Sequence, residues 1–458
     1  MNLLIKNGII ITCDSNFRII HDGSIAVEGN RIVDIGKTSK IVKKYERDDF
    51  EIIDAKGKAV LPGFINTHSH LYQNFMKGWH DIFPLRDWID YVLFPVIRYA
   101  STLSPSERHD FYYYSSLLGT MEAIRTGTTT LLDFSPSCDI TMEVYEKLGI
   151  RGFGGITLAD KWIPEDLVKP VSETLKYIRN VVEKWHNKDN GRLNILLTPS
   201  TPYICTKELL TEAKHLADEL NLLISTHVAE SPYEVELSKK ETGLPPIKYL
   251  DSIGLLDNKL ISVHNIWLTD EEINLLAKRK VHVSHNPKSN MRLASGAMQT
   301  RKFIDKGINV SLGTDGAASN DTLDMLDTAR AAVLLSKVST RNAASLVGKD
   351  GLLMATINGA RALHIDKDVG SIEVGKIADI ILINLNTINT TPLSDVVNTI
   401  LYASYGTDVD TTIVNGVPIM REKNIMTVDT EKILETIKEK YEPILTSIYS
   451  ESKREIQK

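Results

Sequence analysis

Cysteine is scarce in this chain: Cys13, Cys138 and Cys205 are the three thiols among 458 residues. They stand far apart with no CxxC spacing, which excludes a disulfide framework and a thiolate metal site. Each is expected as a buried free thiol. Excess charge of one sign is missing as well. The formal net charge is −6 with Lys and Arg spread along the chain, so there is no basic footprint for nucleic acid or an anionic membrane. No apolar run approaches the ~20 residues that a bilayer span needs. The first twelve residues hold one Lys before a short apolar run, and no small-residue cleavage pattern follows. Their alternation reads as a strand and not as a signal peptide. The expectation is a cytoplasmic protein with a small-molecule partner, and with neither nucleic acid nor membrane as a partner.

What is present is ordinary globular material, 42% hydrophobic and 24% charged, which excludes a disordered chain. The length is too great for one small core. A (β/α)₈ barrel of roughly 250 residues plus an accessory module accounts for it. LLIKNGIIIT, GSIAVEGNRIVDIG and FEIIDAKGKAVLP read as strands around turn signals, and GSIEVGKIADIILIN and DTTIVNGVPIMRE repeat that texture near the other end. The two β-rich segments are expected to pair into one small β-sandwich, from residues 1–60 and 366–425. Residues 426–458 read as a charged amphipathic helix that packs on the surface.

Between them, residues 61–365 alternate strand and helix. Eight apolar candidates stand out: AVLPGFINTH, TGTTTLLDF, IRGFGGITL, LNILLTPS, LLISTHVAE, LISVHNIW, VHVSHNP and INVSLGTDG. Runs of β-branched residues and Leu suit strands buried on both faces. Alternation with helices argues for a parallel sheet, and eight units argue for a closed barrel of the TIM type. His68, His70, Ser200, His227, His264, His285 and Asp315 fall at the C-terminal ends of these strands. That end of a barrel is where chemistry is built.

His68 and His70 are two apart on a strand, so both side chains leave the same face. His227 and Asp315 end other strands. Three imidazoles and one carboxylate suit Zn²⁺ or Fe²⁺ better than Mg²⁺, which prefers oxygen. Glu230 follows His227 by three residues and can stand beside the metal without ligating it. A carboxylate there can take a proton from water and hand it to a leaving group.

PGFINTHSH, STHVAE, SVHN, SHNPKSNMRL and LGTDGAASN resemble, in order and spacing, the signatures of the amidohydrolase superfamily. They look most like its cytosine deaminase, adenosylhomocysteine deaminase and triazine hydrolase branch. The resemblance spans nearly the whole chain and implies a homo-oligomer. It also implies one divalent metal per chain, zinc or iron, held by His68, His70, His227 and Asp315. Glu230 would shuttle protons, His264 would polarise the attacked centre, and Asp315 would also orient the nucleophile. Binuclear relatives carry a carboxylated lysine at the end of the fourth strand. Here that strand ends Thr198-Pro199-Ser200, which implies a mononuclear site.

Leu71 to Arg125 is a long segment able to roof the pocket, with Trp79 and Trp88 among its aromatics. Methylthioadenosine/adenosylhomocysteine deaminases resemble the chain at Trp88 and Pro95. Two residues past that proline they carry a glutamate that grips ribose, where this chain has Ile97. They also carry a ring-binding histidine where it has Ser200. Gln73 instead matches the hydroxytriazine and 8-oxoguanine aminohydrolases. Gln73, Trp88, Ser200 and His285 are therefore the expected substrate contacts. The expected activity is an aminohydrolase acting on the C–N bond of a cyclic amidine in a purine, pyrimidine, pterin or triazine. A methylthioadenosine/S-adenosylhomocysteine deaminase, a triazine chlorohydrolase and a non-catalytic scaffold are the alternatives.

Overall fold

Two sheets divide the work of the chain, in a computed structural model that describes residues 2–163 and 168–457. The N-terminal strands are β1 (Asn2–Ile11), β2 (Ile19–Glu28), β3 (Arg31–Lys37), β4 (Glu51–Asp54) and β5 (Lys58–Pro62). The barrel strands follow: β6 (Phe64–His70), β7 (Thr128–Ser135), β8 (Arg151–Leu158), β9 (Leu193–Pro199) and β10 (Ile224–Val228). They continue with β11 (Leu260–His264), β12 (His282–His285), β13 (Val310–Leu312) and β14 (Asp315–Gly316). Last come β15 (Ile380–Asn384), β16 (Val409–Val414), β17 (Val417–Arg421) and β18 (Asn424–Ile425).

In the second sheet every pairing is parallel, in the order β13-β12-β11-β10-β9-β8-β7-β6-β14. Its two ends, β13 and β14, are halves of one segment separated by Gly313 and Thr314. That segment meets β12 with one half and β6 with the other, so eight strand positions close into the expected barrel. Strands β7 and β9 are buried at every residue, as the unbroken β-branched and Leu runs require. Helices fill the crossovers, and several start on side chains legible in the sequence. Ser104 with Glu107 and Thr269 with Glu272 form capping boxes.

The terminal segments form one nine-stranded mixed sheet, ordered β18-β17-β16-β15-β5-β1-β2-β3 with β4 on β1. The two ends of the chain thus pair into one β module, as expected, with a core of its own that includes Leu3, Ile25, Val60 and Ile380. Strand β1 changes partner within it. Its first half pairs with β4 and its second half with β5, and the switch falls at Asn7, whose φ is 64°. Antiparallel pairing of β5 with β15 joins the two ends of the chain. Alternation then sorts the side chains. Val60, Ile380 and Leu382 face the sheet's own core, while Ala59, Leu61, Ile381 and Ile383 pack on the barrel.

The candidate strand AVLPGFINTH is thus two strands, parted at Gly63. A Cβ there would lie 2.1 Å from the Thr129 side chain, so only glycine allows the chain to pass from sheet to barrel. The helical C-terminal stretch, Thr430–Ile456, lays Tyr441 and Leu445 against Phe75, Met76, Trp79 and Trp88. It therefore braces the segment that roofs the barrel mouth. All three cysteines are buried. Among the described residues, no helix is long and apolar enough to cross a membrane.

Candidate metal centre and substrate cavity

His68 and His70 on β6 are met at the barrel mouth by His227 from β10, His264 from β11 and Asp315 from β14. Ligand atoms of His68, His70 and His227 lie within 4.8 Å of one another, and so do those of His68, His264 and Asp315. Asp315 is the hub. Its Oδ1 stands 3.4 Å from both His68 Nε2 and His70 Nε2, and its Oδ2 lies 3.8 Å from His264 Nε2. His70 Nε2 and His227 Nε2 face each other at 3.3 Å.

The donor set fits a divalent cation. His70 Nδ1 donates to the Phe134 carbonyl at 3.3 Å and His227 Nδ1 to the Ser200 carbonyl at 2.5 Å, which turns the lone pair of each Nε2 inward. Burial holds both rings down to about 4, so each is a neutral ligand near pH 7. Burial also works against charge on Asp315, but contact with His68, His70 and His264 outweighs it and keeps the carboxyl well below its usual range. Both ring nitrogens of His68 and Nε2 of His264 are buried without a hydrogen-bond partner among the described residues. Each such atom costs about 1–3 kcal/mol if nothing meets it. A cation at the centre of the cluster would meet one nitrogen of each ring. Neutral imidazoles with one carboxylate are a zinc-type donor set.

The backbone is strained where it delivers these groups. Ala229, His264 and Asp315 have φ of 52°, 70° and 64°, the left-handed region that side-chain-bearing residues rarely adopt. Local hydrogen bonds hold them there. Asn265 N–H donates to the carbonyls of Val228 and Val263, and Asp315 Oδ1 accepts the Gly316 N–H at 2.8 Å. Asn290 Oδ1 accepts His264 Nδ1–H at 2.8 Å, which leaves Nε2 of that ring facing the cluster.

Glu230 is buried beside the donors without joining them. Its Oε1 accepts from Ser295 Oγ at 3.3 Å and its Oε2 lies 3.4 Å from His264 Nε2. Burial, and then the charge of Asp315, push its carboxyl up to about 8. It therefore carries a proton near neutral pH. Glu234 fixes its position, with Oε1 accepting the Ala229 N–H at 2.8 Å and Oε2 the Glu230 N–H at 2.9 Å.

A cavity of about 110 Å³ opens over the cluster, and Gln73, Trp88 and Ser200 line it with Glu230, His264 and Asp315. Gln73 Oε1 is buried without a partner among the described residues, while Nε2 reaches the Tyr72 hydroxyl at 3.3 Å. Gly316 makes room for it, since a Cβ there would lie 1.7 Å from that Oε1. Trp88 Nε1 donates to the Ala318 carbonyl at 3.2 Å, which pins the roof. His285 does not line the cavity; its ring is fully buried, with neither nitrogen paired among the described residues. A second cavity of about 420 Å³ shares His70, Tyr72 and Ser200 with the first. Phe94, Ile97, Phe134, Pro136, Ala159 and Ile163 make much of its wall.

Sequence reading passed over Glu234 and Asn290. The signal for Glu234 was present in Ser231-Pro232-Tyr233-Glu234, the pattern of a helix-capping serine with a carboxylate three residues on. Asn290 lay inside SHNPKSN and had no distinguishing mark, because its role depends on where His264 points.

Residues 59–419 match the amidohydrolase family. The chain belongs to that family. It is a hydrolase of the deaminase type, acting on cyclic amidines, as the motifs implied. A 5-methylthioadenosine/S-adenosylhomocysteine deaminase of Thermococcus sibiricus is 38% identical, over 92% of this chain and 94% of its own. A 5'-deoxyadenosine deaminase of Methanosphaera stadtmanae is also 38% identical, over 90% and 93%. Among solved structures, an adenosine deaminase from Xanthomonas campestris with bound zinc superposes with a TM-score of 0.90 at 28% identity, covering 97% of this chain and 98% of that one.

Proposed function

We propose that this amidohydrolase deaminates an adenine nucleoside, replacing the 6-amino group of the ring with oxygen and releasing ammonia. The observation that carries the reading is the pair of adjoining cavities, which share His70, Tyr72 and Ser200 in their walls. A free heterocycle fills only the compartment over the donor cluster, whereas a nucleoside places its base there and its sugar beyond Ser200. The names of the relatives at 38% identity point the same way. Ile97 and Ser200 had turned the sequence reading toward free heterocycles. In the fold, Ile97 belongs to the wall of the outer cavity and Ser200 to the walls of both, so the ribose contacts would have to come from groups there other than Ile97. Hydroxyls of Ser137, Thr157 and Ser200 line the same outer cavity and can meet those of ribose.

His68, His70, His227 and Asp315 would hold one divalent ion, with zinc best suited to the donors. Bound there, it would supply Lewis-acid activation of water. The chain's own groups do the rest. Glu230, protonated near neutral pH, gives its proton to the ring nitrogen beside the amino-bearing carbon, which makes that carbon electrophilic. It then takes a proton from the attacking water and passes it to the departing amine, and regains its own from the hydroxyl left on the carbon. The C–N bond breaks as the C=O bond forms, and one water is consumed for each ammonia released. His264 Nε2 faces the same space and orients the entering oxygen. Gln73 Oε1, buried and without a partner among the described residues, accepts from the 6-amino group. Departing chloride needs no proton, so a buried proton carrier at Glu230 favours loss of ammonia.

The test is kcat/KM under one zinc loading for 5'-deoxyadenosine, methylthioadenosine, S-adenosylhomocysteine, adenosine, adenine, guanine, cytosine and a hydroxytriazine. A 5'-substituted adenosine should rank highest. A free base or triazine ranking highest would overturn the nucleoside reading.

A further inference from the structure

We propose that Arg108 anchors an anionic group at the far end of the nucleoside's 5' arm, a carboxylate carried on a hydrocarbon or thioether chain. This rests on the nucleoside reading and names the arm of that substrate. Arg108 is the one charged side chain on the wall of the outer cavity among the described residues. Among the described residues, its guanidinium is held in place by backbone alone. Nε donates to the Ala100 carbonyl, and Nη2 to those of Ser101 and Leu103, each at 3.0 Å. These carbonyls lie at the end of the helix Phe94–Thr102, where a cation is favoured.

A guanidinium has five N–H donors. Three are spent on carbonyls, and the two on Nη1 have no partner among the described residues. Nor does any carboxylate among them form an ion pair with Arg108. The result is an oriented, uncompensated cation facing a cavity, which is the usual preparation for an anion. The rest of the wall narrows the choice. Phe94, Ile97, Pro136, Ala159 and Ile163 offer no donors from their side chains, so a phosphate joined directly to the sugar would sit against hydrocarbon. A chain of methylenes with a thioether covers that surface and carries its charge onward to Arg108.

The test compares two substrates in one enzyme, so that folding or metal loading cancels. The quantity is the ratio of kcat/KM for S-adenosylhomocysteine to that for methylthioadenosine. In Arg108→Met it should fall by about 10- to 100-fold, the usual worth of a charge-assisted hydrogen bond. Arg108→Lys should recover part of it, since an ammonium keeps the charge and loses the fork. A measurement on the unaltered enzyme guards against a misfolded variant. A 5'-thioether adenosine of equal chain length without the carboxylate should be the poorer substrate by about 10-fold. An unchanged ratio in Arg108→Met, or indifference of the unaltered enzyme to the carboxylate, overturns the anchor alone. Preference for adenosine 5'-monophosphate over S-adenosylhomocysteine overturns the hydrocarbon arm. Failure of the unaltered enzyme on every nucleoside overturns the reading beneath both.

Discussion

Glu234 holds Glu230 by its backbone, with one carboxylate oxygen on the Glu230 N–H at 2.9 Å and the other on the Ala229 N–H at 2.8 Å. Ala229 sits at a φ of 52°, a conformation the chain would leave if those donors lost their acceptor. The proposed proton carrier is thus aimed by a second carboxylate four residues on.

Replacing Glu234 by Gln leaves one oxygen for two N–H groups and turns an NH₂ toward the other. Glu230 should drift, and kcat should fall by about 10²-fold, the penalty of a small misplacement of a reacting group. Bound metal should be retained, since no ligand is touched. Steady-state kinetics with elemental analysis checks both, and an unchanged kcat would show that Glu234 only caps its helix.

Glu230→Gln removes the proton itself. The variant should keep its metal and lose at least ~10²-fold in turnover, the common contribution of a placed general acid/base. Activity equal to that of the unaltered enzyme would take Glu230 out of the chemistry.

The donor count gives a prediction for metal content. About one divalent ion per chain should be found, and His68→Ala should lose most of it together with activity. Chelation should abolish turnover and zinc should restore it. Two tightly held ions per chain would contradict the mononuclear site, and would direct attention to His264, whose Nε2 already lies among the ligand atoms.

Away from the site, Arg151 at the start of β8 reaches Asp379 just before β15. The pair is bidentate, at 2.7 and 3.1 Å, and its side chains are 4% and 2% exposed. Asp379 also accepts the Asn415 N–H at 2.7 Å. Barrel and terminal sheet are joined here by buried charges. Arg151→Ala strands a carboxylate and should cost about 3–5 kcal/mol in chemical denaturation. A loss below about 1 kcal/mol would mean that water reaches Asp379 in the variant.

The cluster was legible because it obeys rules that act along the chain. Two histidines on one strand share a face, and His227, His264 and Asp315 each close a β-branched run. Ile97 shows where that kind of reading stops. Its side chain argues against a carboxylate contact wherever it lies. Whether that matters for the substrate depends on which cavity it faces, and that is settled by how residues 71–103 fold over the mouth. The strand order of the terminal sheet is hidden from the sequence for a similar reason. Asn7 can adopt a left-handed turn inside a strand, but nothing in LLIKNGIIIT shows that β1 changes partner there.

Strand periodicity, cap residues and the order of the polar strand ends belong to the sequence itself, because they arise from contacts a few residues apart. Together they determined a barrel and the side chains that gather at its mouth. Tertiary structure decided the rest: the 3.4 Å spacing of Asp315 from two imidazoles, the burial that pushes the Glu230 carboxyl up, the grip of Glu234 and the two cavities that share Ser200. Each of these needs segments far apart in the chain to be brought together. Electrostatic shifts and cavity walls arise from that convergence, which is a property of the folded barrel and of no single stretch of residues.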